Sequence, residues 1–151
     1  MKKVTFNGLA THAFLAGALV LGGLVCGGRA LAAGSAEAKV AIPATSDAIW
    51  QSIDKETEQL ATLIQSNKLE EVHHRAFAIR DLVAALPARS ASLSADKLAS
   101  VKANAKFVAA VAERLDVAGD AKDKGGTEAN FEKLKGLLKT IKSNYAGLAQ
   151  K

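Results

Sequence analysis

The chain has one cysteine, Cys26, and one methionine, Met1, and both fall within the first 32 residues. Histidine is nearly as scarce: His12 lies in that same segment, and the other two form the dipeptide His73-His74. Once that segment is removed, the chain can build no disulfide, no thiolate metal site and no Cys-x-x-Cys-His haem attachment, and its stability must come from packing. Aromatic residues make up 5% of the sequence, and proline occurs only at Pro43 and Pro87. Apolar residues do not alternate with period two, and alanine, lysine, leucine and glutamate outweigh β-branched and aromatic types, which argues against a sheet. A glycine-rich phosphate loop, a nucleophile elbow and a Cys/His pair are all missing, and Glu56 and Glu58 fall on opposite sides of their helix. No enzyme is expected.

The first 32 residues have the composition of an export signal. Lys2 and Lys3 give a positive start, Ala13 to Val25 is apolar and uncharged, and Ala30-Leu31-Ala32 places small residues where a signal peptidase reads them. Cleavage is expected after Ala32, giving a periplasmic protein. Cys26 invites a lipoprotein reading, but Val25 stands where that signal wants a small residue. An uncleaved anchor is the other option, and the apolar run is shorter than the ~20 residues of a membrane span. Cleavage would also change the charge balance, because the formal +5 includes Lys2, Lys3 and Arg29; without them 17 basic residues face 15 acidic ones. No dense Lys/Arg patch interleaved with aromatics remains, so no nucleic-acid partner is expected.

After a flexible leader over 33–44, residues 45–148 show helical periodicity. Thr45 or Ser46 can cap a first helix, with Asp47 favourable at its positive end. Its stripe is Ile49, Ile53, Thr57, Leu60 and Leu63 or Ile64, and it should end near Asn67. Leu69, Val72, Ala76, Ile79, Val83 and Leu86 step by threes and fours along a second helix that Pro87 stops. Ser94 can cap a third, whose seam is Leu98, Val101, Ala105, Val108, Ala112 and Leu115. Ala118-Gly119-Asp120 is expected to close it through a left-handed glycine. A fourth helix starts at Asp120, or at Thr127 if Gly125-Gly126 frays it, and carries Phe131, Leu134, Leu138, Ile141 and Tyr145. Four such helices with short connections predict an all-α, up-down-up-down antiparallel four-helix bundle.

An export signal followed by this bundle, with Gln59-Leu60-Ala61-Thr62-Leu63-Ile64 in the first helix and Leu138-Lys139-Thr140-Ile141-Lys142-Ser143-Asn144-Tyr145 in the last, resembles the periplasmic cytochrome b562 kind of bundle. The resemblance implies the fold. It does not bring the cofactor, because that family's methionine and histidine haem ligands fall near Ile53 and Ala146 here. Haem is therefore not expected.

The remaining ligand chemistry is Glu70-Glu71-Val72-His73-His74. On a helix Glu70 lies beside His73 and Glu71 beside His74, giving two overlapping Glu-x-x-His units that can chelate a labile divalent cation: copper, zinc, nickel or cobalt. A closed di-metal site would need a second such unit and two further inward glutamates, and no other histidine follows the signal. Helical phase places His73 at the core boundary and His74 towards water. Asp120, Asp123 and Glu128 lack the ordered spacing of a calcium loop. Arg75, Arg80, Asp81 and Arg89 read as solvated surface, and Trp50 and Phe77 as packing residues or partner contacts. Two functions follow. One is an exported metal-binding or metal-responsive accessory protein, linked to heavy-metal or copper homeostasis or to an efflux component. The other is a metal-free helical module that binds a periplasmic protein through an exposed face.

Overall fold

The computed structural model describes residues 40–147. The expected signal peptide, and the leader as far as residue 39, lie outside the described residues. Four helices follow one another: α1 Ser46–Gln65, α2 Val72–Ala85, α3 Ala95–Asp120 and α4 Lys124–Ser143. Short 3₁₀ turns at Leu69–Glu71 and Leu86–Arg89 flank α2, and no strand occurs among the described residues. Each helix packs on the next around one apolar core, as the bundle reading requires. None of these helices is long and apolar enough to cross a membrane.

The helix starts follow capping chemistry. Thr45 is extended and its Oγ1 accepts from the Ala48 amide at 3.2 Å. Ser94 does the same for Lys97 through a long 3.5 Å bond, and Asp123 for Gly126 at 2.9 Å. The last of these differs from expectation: α4 begins at Lys124, between the two starts that the sequence offered. The Asp123 carboxylate holds the first turn together, so Gly125 and Gly126 are helical instead of frayed.

Helix ends show a second difference. Gly119 does not close α3; it is buried inside it, and the left-handed residue is Lys122, at φ 54°. The Asp123 amide donates to Ala118 O and the Lys122 amide to Gly119 O, both at 2.9 Å. This is a Schellman closure built on lysine. Helix α1 ends in the same way, with Asn67 at φ 59° and the Lys68 amide bonded to Leu63 O at 2.9 Å.

The seams read from the sequence form most of the core, which also takes in Leu82 and Val111 and leaves Leu98, Ala105 and Tyr145 partly buried at its edge. Ile49, Ile53 and Leu60 of α1, Val72, Ala76, Ile79 and Val83 of α2, Val101, Val108, Ala112 and Leu115 of α3, and Leu134 and Ile141 of α4 are all fully buried. Thr57 fits the α1 stripe because its hydroxyl donates back to Ile53 O at 2.7 Å and leaves its methyl for packing.

Helix α1 meets α4 far less than it meets α2. The two close at one end, where Trp50 packs edge-on to Tyr145 (ring centroids 5.6 Å apart) and Lys142 bridges Asp54 at 2.8 Å. At the other end a groove of about 730 Å³ opens over Ala61, Ile64 and Phe131.

At the closed end the Tyr145 hydroxyl shares a 2.7 Å hydrogen bond with buried Ser90, whose own hydroxyl reaches Leu86 O at 2.6 Å. Burial raises the Tyr145 pKa above its ordinary value, against a smaller lowering by Ser90. The folded state therefore favours the neutral phenol. Its contribution is complete below the unfolded value of about 10 and is lost as pH climbs through the higher folded value. Tyr145→Phe should lower stability at neutral pH by about 0.5–1.5 kcal/mol and weaken the alkaline loss, as read by urea unfolding from neutral pH to about pH 11.

Candidate metal centre

Helix α2 starts where α3 ends, and one residue sets the distance between them. A Cβ on Gly119 would stand 2.5 Å from Leu69 O and 2.6 Å from Val72 Cγ2. Only glycine lets the α3 backbone lie this close to the start of α2. The residues that bracket Gly119 are Asp116 and Asp120, one helical turn apart, and those that bracket the α2 contact lead directly to His73. An imidazole nitrogen of His73 and one carboxylate oxygen from each aspartate lie within 4.8 Å of one another. His73 and Asp116 are half-buried, and Asp120 is exposed.

This set is chemically competent for a divalent cation. One imidazole and two carboxylates suit zinc, copper, nickel or cobalt, and the usual affinity order puts copper first. Tetrahedral ligands at zinc-like bond lengths stand roughly 3.4 Å apart, so small side-chain rotations would bring these donors to bonding distance. Three protein ligands from two helices leave coordination positions for water or for a donor from another molecule.

Electrostatics point the same way. Asp116 and Asp120 occupy the C-terminal turns of α3, and its last turn holds no basic residue. Two like charges at i and i+4 repel, and both face the negative end of the helix dipole. Each effect is worth a few tenths of a kcal/mol, and a bound cation reverses the sign of both.

The structure distributes the residues expected from sequence as follows. His73 belongs to this cluster, whereas Glu70, Glu71 and His74 do not and are exposed. The His74 ring lies against that of His73, with centroids 3.8 Å apart and planes tilted by 46°. Glu71 sits 3.7 Å from Lys68. Asp116 was not anticipated. Its signal is the run Asp116-Val117-Ala118-Gly119-Asp120, two acids one turn apart around a glycine at a helix end. The loose acidic loop separates into three tasks: Asp120 turns to His73, Asp123 caps α4, and Glu128 sits 3.9 Å from Lys124.

Trp50 is a core residue, 7% exposed, with Lys142 Nζ 5.3 Å from its ring and, among the described residues, no hydrogen-bond partner for its Nε1. It presents no face to a partner. Phe77 is half-buried against the core, and the Arg80 guanidinium covers its ring at 4.4 Å. Arg80 also bonds Asp81 at 2.8 Å, and Arg75 pairs with Glu56 on α1 at 3.0 Å. Ile53 is buried in the core and Ala146 is exposed. Comparison with family models, curated proteins and solved structures found no match.

Two glycine substitutions test the close approach. Gly119→Ala forces a methyl against a backbone oxygen and should destabilise the protein by about 1–3 kcal/mol. Gly136→Ala, on α4 where an added Cβ meets nothing within 4 Å, should instead stabilise it by about 0.5–1 kcal/mol. Thermal unfolding of the two variants should move in opposite directions.

Proposed function

We propose that this protein is an exported, periplasmic, non-enzymatic metal-binding or metal-responsive accessory protein that takes a labile divalent cation between α2 and α3. The single observation that carries this reading is the convergence of His73, Asp116 and Asp120. The proposed ligand set keeps His73 from the Glu70-Glu71-Val72-His73-His74 motif and replaces the neighbouring glutamates with aspartates from α3. An exchangeable site of this kind, open to further ligands, suits a protein that carries or senses copper or another heavy metal near an efflux component. The resemblance to cytochrome b562 bundles is retained at the level of fold alone, since Ile53 and Ala146 offer iron no ligand.

Titration calorimetry with copper, zinc, nickel and cobalt tests the reading. One ion per chain should bind, and at a free concentration a hundredfold above Kd it should add about 2.7 kcal/mol of stability. His73→Ala, Asp116→Asn and Asp120→Asn should each weaken binding at least tenfold, while His74→Ala leaves most of it. Without metal, Asp120→Asn should slightly raise the melting temperature, because it removes a charge that the helix end disfavours. Binding that survives His73→Ala unchanged would sink the proposal.

A further inference from the structure

The ligand set between α2 and α3 is one donor short, and an unused donor stands beside it. His73, Asp116 and Asp120 offer one ligand atom each, whereas zinc held entirely by side chains takes four in a tetrahedron. Asp120 is exposed, so the fourth position opens towards the surface. His74 is exposed at the same surface, its ring against that of His73 with centroids 3.8 Å apart. Successive residues on a helix point about 100° apart. His73 therefore reaches α3 while His74 is directed outward, and His74 does not join the cluster of donors that lie within 4.8 Å of one another. The chain thus presents an imidazole at the rim of a site that does not use it.

The surroundings are acidic. Glu70 and Glu71, both exposed, precede the histidines at the start of α2, and Asp116 and Asp120 approach from α3. Lys68 sits 3.7 Å from Glu71. Two such surfaces repel each other until cations lie between them.

On the metal reading proposed above, and standing only if that reading does, we infer that a divalent cation joins two copies of this chain. His74 of each copy supplies the fourth ligand to the ion held by His73, Asp116 and Asp120 of the other. Because donor and site lie side by side on one surface, a two-fold axis beside the first turn of α2 makes the exchange reciprocal, and a contact of that symmetry closes at two copies. A donor from an unrelated protein would fill the fourth position and leave His74 idle. A second copy accounts for both. Each ion then has two imidazoles and two carboxylates, a set that suits tetrahedral zinc or cobalt better than copper with its tetragonal preference. Association is conditional on metal: the acidic surfaces keep the chains apart without it, and two bridges hold the pair with it.

Sedimentation equilibrium of the exported chain with and without zinc tests the bridge, with circular dichroism to check that each variant is folded. The metal-free protein should be monomeric, one zinc per chain should convert it to a dimer, and EDTA should reverse the change. His74→Ala should still bind one zinc per chain but raise the dimer Kd at least tenfold. His73→Ala should be monomeric by itself, yet mixed with His74→Ala it should form a heterodimer holding one zinc, since that pair keeps one complete ligand set. Zinc bound at one per chain with no dimer, or a zinc-dependent dimer indifferent to His74→Ala, overturns the bridge and leaves the metal site standing. Calorimetry that detects no ion on the wild type overturns the metal reading, and the bridge with it.

Discussion

The approach of the Gly119 backbone to Leu69 O is the constraint on which this end of the bundle depends. Leu69 is buried at the start of a 3₁₀ turn, and Val72 opens α2 directly after it. With α3 lying on both, the chain has no slack between the end of α1 and the core of α2, which is why Asn67 must take a left-handed conformation to turn the corner. The same contact holds α3 helical through Ala118 and Gly119 to Asp120, so its closure falls to Lys122 and the next cap to Asp123. A β-carbon at position 119 would push the two helices apart and disturb each of these in turn. It would also carry Asp116 and Asp120 away from His73.

Periodicity made most of the fold legible. The three-four stepping of Leu69 to Leu86 and of Leu98 to Leu115 names a buried face without reference to any other helix, because a helix of 3.6 residues per turn allows only one such stripe. The cap at Thr45 was readable for the same local reason. The role of Gly119 was not. A glycine near a helix end is used either for positive φ or for close approach, and the two look alike until the neighbouring backbone is in place. Likewise Gly125-Gly126 signals weakness by propensity, and only the reach of the Asp123 carboxylate decides that the turn forms.

The candidate site was half legible. Scarcity singled out His73, and helical phase put it at the boundary, where the structure has it. Its partners were sought along its own helix, since i,i+3 spacing is the only proximity a sequence displays. Asp116 and Asp120 lie more than forty residues further on, and their approach depends on how α2 and α3 are rotated against each other, which period alone leaves open. Of the two roles the sequence left open for Trp50, packing is the one the structure shows, and for a related reason the sequence could not choose it. Flanking a seam on one helix says nothing of the neighbour that covers it, here Tyr145 and Lys142 of the α4 segment.

Closing a bundle at one end and joining its helices at the other are separate problems, and this chain solves them with different chemistry. At the Trp50–Tyr145 end, an aromatic pair and the Asp54–Lys142 bridge hold α1 to the α4 segment, and the Ser90–Tyr145 hydrogen bond fixes the tyrosine. At the opposite end α1 and α4 separate, with no comparable clasp between them among the described residues, while Gly119 lets α2 and α3 approach closely. Acidic side chains gathered at that tight junction, against the dipole of α3, are hard to explain as stabilising elements, since neutral residues would serve the fold better. Their cost is small enough for the core to absorb and is reversed by a cation. The proposed cation would thus relieve a repulsion that the fold itself builds between Asp116 and Asp120.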